Sequence, residues 1–277
     1  SPRSRSGCRH NGFFHQARVG EEVKVTQIQG LTWFSTHARH AGRLRPSDAY
    51  GQITMLTQRM QLISNIASRI VGVRRRHCTR VAIDGVDAAG KTMFADELAA
   101  AVEGLGRPVV RASIDGFHNP LSTRRQRGRL SPEGYFEDSF NYPALVEALL
   151  QPLGPGGSGS FRRAVFDFRT DAPVTDAIEN ASPDSILLLD GVFLLREELR
   201  AHFDFSVFVR CSFEVTIRRA EQRDLRLFGS VEEIRHRYRQ RYIPGQELYL
   251  RKAQPERWAS VIVDNNDPMR PNIVGAV

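Results

Sequence analysis

The run GVDAAGKT at 85–92 fits the spacing G-x-x-x-x-G-K-[ST]. A loop of this kind closes the backbone N–H groups of Gly85, Val86, Asp87, Ala88, Ala89 and Gly90 around phosphate oxygens. Lys91 then neutralises the β/γ-phosphates, and the Thr92 hydroxyl is a hard oxygen ligand for Mg²⁺. A second acid, Asp190, ends ILLLDG, where four apolar residues feed a carboxylate as in a Walker-B strand, able to reach a metal directly or through water. Read alone, that stretch is equally a strand closed by an Asp-Gly turn. A third acid, Asp115, stands in SIDGFHNP at 113–120, just after the apolar run. A carboxylate there can accept or orient the proton of an attacking hydroxyl. In the bland alternative it belongs to an Asp-Gly turn with His118 on the surface.

The elements that must carry these residues follow from periodicity. Leu62, Ile63, Ile66, Ile70 and Val73 share a helical face and predict a lead-in helix from Met60. Strands are expected at 81–84, 108–114, 164–168, 185–190, 205–210 and 260–264, and helices at 91–102, 143–150, 213–223 and 231–250. Alternating strands and helices predict an α/β fold with a parallel, doubly wound sheet and helices on both faces. Ligands bind such sheets at the carboxyl ends of the strands, which is where the phosphate loop, Asp115 and Asp190 fall. The Pro/Gly/Ser run at 152–160 reads as a surface loop.

Composition narrows the class. The 277 residues are 41% hydrophobic and 25% charged, which excludes a mainly disordered chain. Three scattered cysteines without a C-x-x-C pair argue against a disulfide scaffold or a cysteine-built zinc site and suit a reducing compartment, so a cytoplasmic protein is expected. No run approaches the roughly 20 apolar residues of a membrane span. Residues 1–59 hold nine basic side chains against three acidic ones, whereas 60–277 hold 30 against 28. The net charge of +8 therefore belongs mostly to the N-terminal segment, and no nucleic-acid face is required of the body. Residues 1–59, with a short strand at 23–28, read as a poorly structured basic extension, either a tail or upstream sequence joined to a domain that starts at Met55 or Met60. Residues 60–277 read as the catalytic domain.

Taken in order, GVDAAGKT, IDGFHNP, SPEGYFEDSFNYPAL at 131–145, FDFRTD at 166–171, LLLDGVFLL and FVRCSFEVTIRRAEQRD at 208–224 resemble the uridine kinase family. That family belongs to the wider group of P-loop kinases that includes phosphoribulokinase and pantothenate kinase. The resemblance extends through RYIPGQELYL and ASVIVDN and covers about 80–265. It implies a three-layer α/β/α P-loop NTPase fold with a mainly parallel sheet and a helical, arginine-bearing lid. It also implies ATP and Mg²⁺ as cofactors and a small-molecule acceptor as partner, and leaves self-association open. Carried over residue by residue, it makes Asp115 the acid that deprotonates or orients a nucleoside 5′-hydroxyl. Lys91, Arg218 and Arg223 stabilise the transferring charge, Arg219 joins the loop residues around ATP, and Thr92 and Asp190 hold the metal. Asp115, His118, Asp138, Phe166 and Arg169 are the acceptor-side candidates. The departures fall on that side. Phe166 and Asp171 replace the family's Tyr and His, Arg169 adds a charge, and Asn141 and Tyr142 replace an Asp-His pair. The lid runs LRLFGS without its second arginine. The expected activity is phosphoryl transfer from ATP to a nucleoside hydroxyl. A P-loop kinase for another metabolite, such as pantothenate or a sugar phosphate, and a non-catalytic nucleotide switch are the alternatives.

Overall fold

Val81 and Ile83 turn to one face of a six-stranded sheet and Ala82 to the other, the period-two alternation that a strand buried on both sides imposes. The computed structural model describes residues 46–276, Asp176 excepted. Its strands are β1 (Thr79–Gly85), β2 (Val109–Ser113), β3 (Ile186–Asp190), β4 (Phe205–Arg210), β5 (Val261–Asp264) and β6 (Asn272–Ala276), in the spatial order β6-β5-β4-β1-β3-β2. β1 to β5 are parallel and β6 pairs antiparallel with β5. β1 and β3 are buried along their whole length, as central strands of a covered parallel sheet must be.

The α-helices of seven residues or more are α1 (Pro46–Gly72), α2 (Lys91–Gly104), α3 (Pro132–Asp138), α4 (Phe213–Arg223), α5 (Val231–Arg237) and α6 (Ile243–Ala253). α1 and α2 set Ile66, Ile70, Phe94 and Leu98 against the face formed by Val81, Ile83, Ile186, Leu188 and Val207. On the other face Ala82, Leu187, Leu189 and Phe208 meet Phe136, Leu145, Leu149, Phe193 and Tyr249. Each of these large side chains contributes about 1.5–3 kcal/mol by leaving water. The result is the expected three-layer α/β/α arrangement. A smaller cluster of Ala220, Ile234 and Tyr238 joins α4 to the segment that follows it. Among the described residues no helix is long and apolar enough to cross a membrane.

Four expectations change in detail. α1 begins at Pro46 rather than at Met60, while residues 1–45, including the strand expected at 23–28, lie outside the described residues. The strand expected at 164–168 shrinks to Phe166–Asp167 and pairs with Ala172–Pro173 in a ribbon outside the main sheet. Asp171 at φ 53° turns the chain back too soon for a longer strand. The helix expected at 143–150 starts at Tyr142 under an Asn141 cap and widens into a π turn at Val146–Leu150. The long helix expected at 231–250 is likewise interrupted by a π turn, Tyr238–Tyr242, between α5 and α6.

Candidate active site

β1 delivers the chain straight into the glycine loop, and α2 starts from Gly90 at φ 91°. A side chain on Gly85 would put its Cβ 2.4 Å from the Val209 carbonyl oxygen of β4, so only glycine lets the loop leave the sheet here. Lys91 is buried, and its Nζ donates to the Val86 carbonyl at 2.7 Å. Burial lowers its pKa, while Asp87, Asp84 and Asp190 work in the opposite direction. Ala88 adopts φ 55°, and the Asp87 N–H donates to Gln246 Oε1 of α6 at 2.8 Å. The open N-terminus of α2 and the loop between Gly85 and Gly90 thus form a cradle for an anion.

Alternation along β3 places Ile186, Leu188 and Asp190 on the face that α2 covers. Thr92 is on the first turn of α2, and its Oγ1 donates to Asp190 Oδ2 at 2.8 Å. Arg111 of β2 donates to the other oxygen, Oδ1, at 3.1 Å. Asp190 stands level with Ile83 of β1 and Ser113 of β2, so Asp115 emerges two residues beyond the same sheet edge. The neighbouring acid Asp84 faces the opposite way. It is wholly buried and accepts from the N–H groups of Gly85 and Leu195 and from the Tyr249 hydroxyl. Burial raises its pKa against those hydrogen bonds.

Asp115 leads a single 3₁₀ turn capped by Ser113. Its side chain keeps 60% exposure, yet crowding by the cleft walls raises its pKa, with Asp87 and Asp190 adding to the rise and His118 opposing it. His118 Nδ1 is 2.9 Å from the Asp115 carbonyl oxygen, and its ring is held between Phe140 at 4.5 Å and Phe168 at 4.6 Å. Desolvation in that aromatic slot lowers the His118 pKa. The Phe166 ribbon docks beside Asp115 because Val165 donates to the Gly116 carbonyl, and a Cβ on Gly116 would lie 2.7 Å from Ala164. Phe166 is buried, while Arg169 is exposed and lies over the Phe168 ring. Asp138 differs from expectation: its carboxylate is buried in an ion pair with Arg127 at 2.8 Å, so it braces the 124–129 loop.

The arginines of α4 divide into three. Arg218 is exposed and makes no hydrogen bond or ion pair among the described residues. Arg219 also differs from expectation. Its Nη1 donates to the Ala89 carbonyl at 3.1 Å and its Nη2 to the Asn265 and Asn266 carbonyls at 2.7 and 3.1 Å, so it ties the loop to the end of β5 from behind. Arg223 grips Asp224 with two hydrogen bonds and reaches Asp87 across the cleft. Burial alone raises the Asp87 pKa, but Arg223, Lys91 and the Tyr238 hydroxyl together hold it below the ordinary carboxylate value.

The loop, the Thr92–Asp190 pair, Asp115 and, of the three arginines, Arg223 therefore converge on one sheet edge. Sequence reasoning missed Tyr238, Gln246, Arg111 and Asn265, whose Nδ2 donates to Ala89 at 2.7 Å. Gln246 and Asn265 fall within the RYIPGQELYL and ASVIVDN stretches, and Arg111 and Tyr238 in β2 and the π turn, but nothing in their residue types singles them out from their neighbours.

Comparison with known proteins bears on the family and the fold. Among curated relatives, a uridine kinase of Shewanella piezotolerans is 26% identical over 193 residues, spanning 68% of this chain and 88% of the relative. A uridine kinase of Pasteurella multocida is 25% identical over 197 residues, spanning 67% and 85%. A solved structure described as a possible uridine kinase from Bacillus stearothermophilus shares the fold with a TM-score of 0.58 at 21% identity, covering 75% of this chain and 98% of that one. The D-glycerate 3-kinase of Cryptococcus neoformans shares it at 0.50 and 13% identity, covering 80% and 98%. The family model for phosphoribulokinase and uridine kinase matches residues 81–255, from the heart of β1 to the end of α6 and just beyond, and the chain belongs to the phosphoribulokinase/uridine kinase family of P-loop kinases.

Proposed function

We propose that the protein is an ATP-dependent small-molecule kinase that transfers the γ-phosphoryl group to a hydroxyl. The family resemblance and the curated relatives favour a nucleoside as acceptor. The observation that carries the reading is the Thr92–Asp190 hydrogen bond at 2.8 Å beneath the Lys91 loop, with Asp115 on the adjoining strand end.

The loop N–H groups, the N-terminus of α2 and Lys91 gather negative charge where a triphosphate lies. Thr92 and Asp190 would hold Mg²⁺. Among the described residues no group of three His, Cys, Asp or Glu is placed to hold a metal, which suits an ion that takes one or two protein oxygens and completes its shell with phosphate and water. When bound, it supplies charge neutralisation at the β- and γ-oxygens. Asp115 accepts or orients the acceptor's hydroxyl proton, and its raised pKa favours that proton transfer. Arg223, beside Asp87 of the loop, is placed to meet charge that spreads over the transferring group, and the family resemblance gives Arg218 the same role.

A second reading, a kinase whose acceptor is not a nucleoside, is favoured by the Phe140–His118–Phe168 stack that fills the space beside Asp115.

The test is ADP release from MgATP with uridine, cytidine, pantothenate and ribulose 5-phosphate, using Lys91→Ala and Asp115→Asn as controls. Release stimulated by one acceptor and lost in both variants is expected. Tight nucleotide binding with no acceptor-stimulated release would remove the nucleoside assignment and point either to another metabolite as acceptor or to a nucleotide switch.

A further inference from the structure

Arg59 stands ahead of every motif of the site, yet its side chain ends behind the phosphate loop. Its spacing explains why. Arg59 precedes Ile63, Ile66 and Ile70 on α1 by four, seven and eleven residues, so it continues the stripe that packs on the sheet. Its largely buried side chain joins α1 to two other elements. Nε donates to Glu97 Oε2 of α2 at 2.8 Å, while Nη1 donates to the Pro268 carbonyl at 2.7 Å and reaches Asn265 Oδ1 at 3.5 Å, both in the turn that follows β5. Arg59 and Asn265 both lie outside residues 81–255, the span that the family model matches.

Asn265 is buried against the loop. Its Nδ2 donates to the Ala89 carbonyl at 2.7 Å, and a Cβ on Gly90 would lie 2.9 Å from the same nitrogen. A carboxamide has one accepting end and one donating end, whereas a guanidinium only donates. With Arg59 on the Oδ1 side, the Asn265 amide presents its donor to Ala89. Arg219 Nη1 holds the same carbonyl at 3.1 Å, and the main chain of Asn265 is held as well, its N–H donating to the Arg210 carbonyl at 2.9 Å. A trans peptide is planar and sets its C=O and N–H on opposite sides. Drawing the Ala89 carbonyl back therefore turns the Gly90 N–H forward into the cradle, at the residue from which α2 starts.

We infer that Arg59 is a positioning residue for the nucleotide's phosphates: acting through Asn265, it fixes the Ala89–Gly90 peptide of the loop with its N–H toward the anion. This rests on the kinase reading of the site. It makes α1 part of the functional unit rather than only a cover for the sheet, and a domain counted from Met60 would lack the residue that does so.

The experiment is calorimetric titration of the full chain with a non-hydrolysable MgATP analogue. Wild type is compared with Arg59→Met, Arg59→Lys, Asn265→Leu and the double variant Arg59→Met/Asn265→Leu, each well below its melting temperature. Arg59→Met keeps the apolar stem and loses the donors, and its affinity should fall about 3- to 10-fold. Arg59→Lys, which keeps a charged donor, should recover part of that loss. Asn265→Leu should fall at least as far as Arg59→Met, and the double variant no further than Asn265→Leu alone, because the two side chains act in series. A purely structural Arg59 would lower the melting temperature and leave the affinity of the folded chain unmoved. That result, or losses that simply add in the double variant, would overturn the inference. If Arg59→Met does not fold, the loss and the coupling are read from Arg59→Lys in its place. A wild-type chain that does not bind the analogue would count against the kinase reading and take this inference with it.

Discussion

Arg223 and Asp87 face each other across the phosphate loop, with Nη1 3.3 Å from Oδ1 and Nη2 3.2 Å from Oδ2. The same guanidinium holds Asp224 at 2.7 and 2.8 Å, so one cation bridges the loop and the end of α4. This explains how a carboxylate is tolerated in a loop built to bind anions. Arg223 and Lys91 offset the charge of Asp87, and the Tyr238 hydroxyl satisfies it further. Arg223→Ala should then remove a phosphate-facing cation and leave Asp87 unbalanced against the triphosphate. We expect kcat/KM for MgATP to fall about 10²–10³-fold, the scale of losing a preorganised charge at a transition state. Asp87→Asn should cost less than tenfold, because Asp224 still anchors Arg223. Steady-state kinetics on both variants test the asymmetry, and equal losses would reject it.

The bond between Thr92 and Asp190 makes a separate prediction. Thr92→Val or Asp190→Asn should raise the Mg²⁺ concentration needed for half-maximal turnover by about tenfold or more, since on the proposed reading each removes an oxygen ligand or its orienting partner. Arg111→Ala frees Asp190 Oδ1 and should shift the Mg²⁺ requirement much less. Titrating Mg²⁺ at fixed ATP measures all three. An unchanged requirement in Asp190→Asn would remove that residue from the metal site.

Asp190 and Thr92 were legible in the sequence because the phosphate loop fixes the start of α2 and period-two alternation fixes which face of β3 the acid takes. Asp115 was legible for a similar reason: it follows an apolar strand directly. Arg219 and Asp138 were not. Their types suit a phosphate or a substrate, but an arginine that turns toward carbonyls and an acid that turns toward Arg127 are distinguished only by packing. The π turn at Tyr238–Tyr242 was invisible because its sequence reads as uninterrupted helix, and with it went the placement of Tyr238 and Arg241. Gln246 is 159 residues from the Asp87 N–H it accepts, a pairing no local pattern encodes.

The raised pKa of Asp115 has opposite consequences for activity and stability. As a proton acceptor the carboxylate must be ionised, so kcat/KM should fall as pH drops through a value above the ordinary 3.8. Folding favours the protonated form, so the residue's contribution to stability is fullest below its unfolded pKa and is lost as pH rises through the folded value. Asp115→Asn should therefore abolish most acceptor-dependent turnover, about 10²–10⁴-fold, and raise the melting temperature more at pH 8 than at pH 4. A variant that melts below wild type at pH 8 would contradict the crowding argument.

Gly85 and Gly104 bound the loop–α2 unit and should respond oppositely to a single methyl. A Cβ on Gly85 would meet the Val209 carbonyl oxygen at 2.4 Å, and backbone there cannot yield without parting β1 from β4. Gly85→Ala should cost about 1–3 kcal/mol or more from overpacking, with loss of nucleotide binding as the loop shifts. Gly104 closes α2 with nothing within 4 Å of its would-be Cβ, and its backbone is in the ordinary negative-φ range. Gly104→Ala should be neutral or stabilising by up to about 1 kcal/mol, because alanine loses less backbone freedom on entering a helix. Urea midpoints of the two variants decide the matter. A Gly85→Ala chain as stable as Gly104→Ala, and still binding nucleotide, would show that the loop leaves the sheet by a different path.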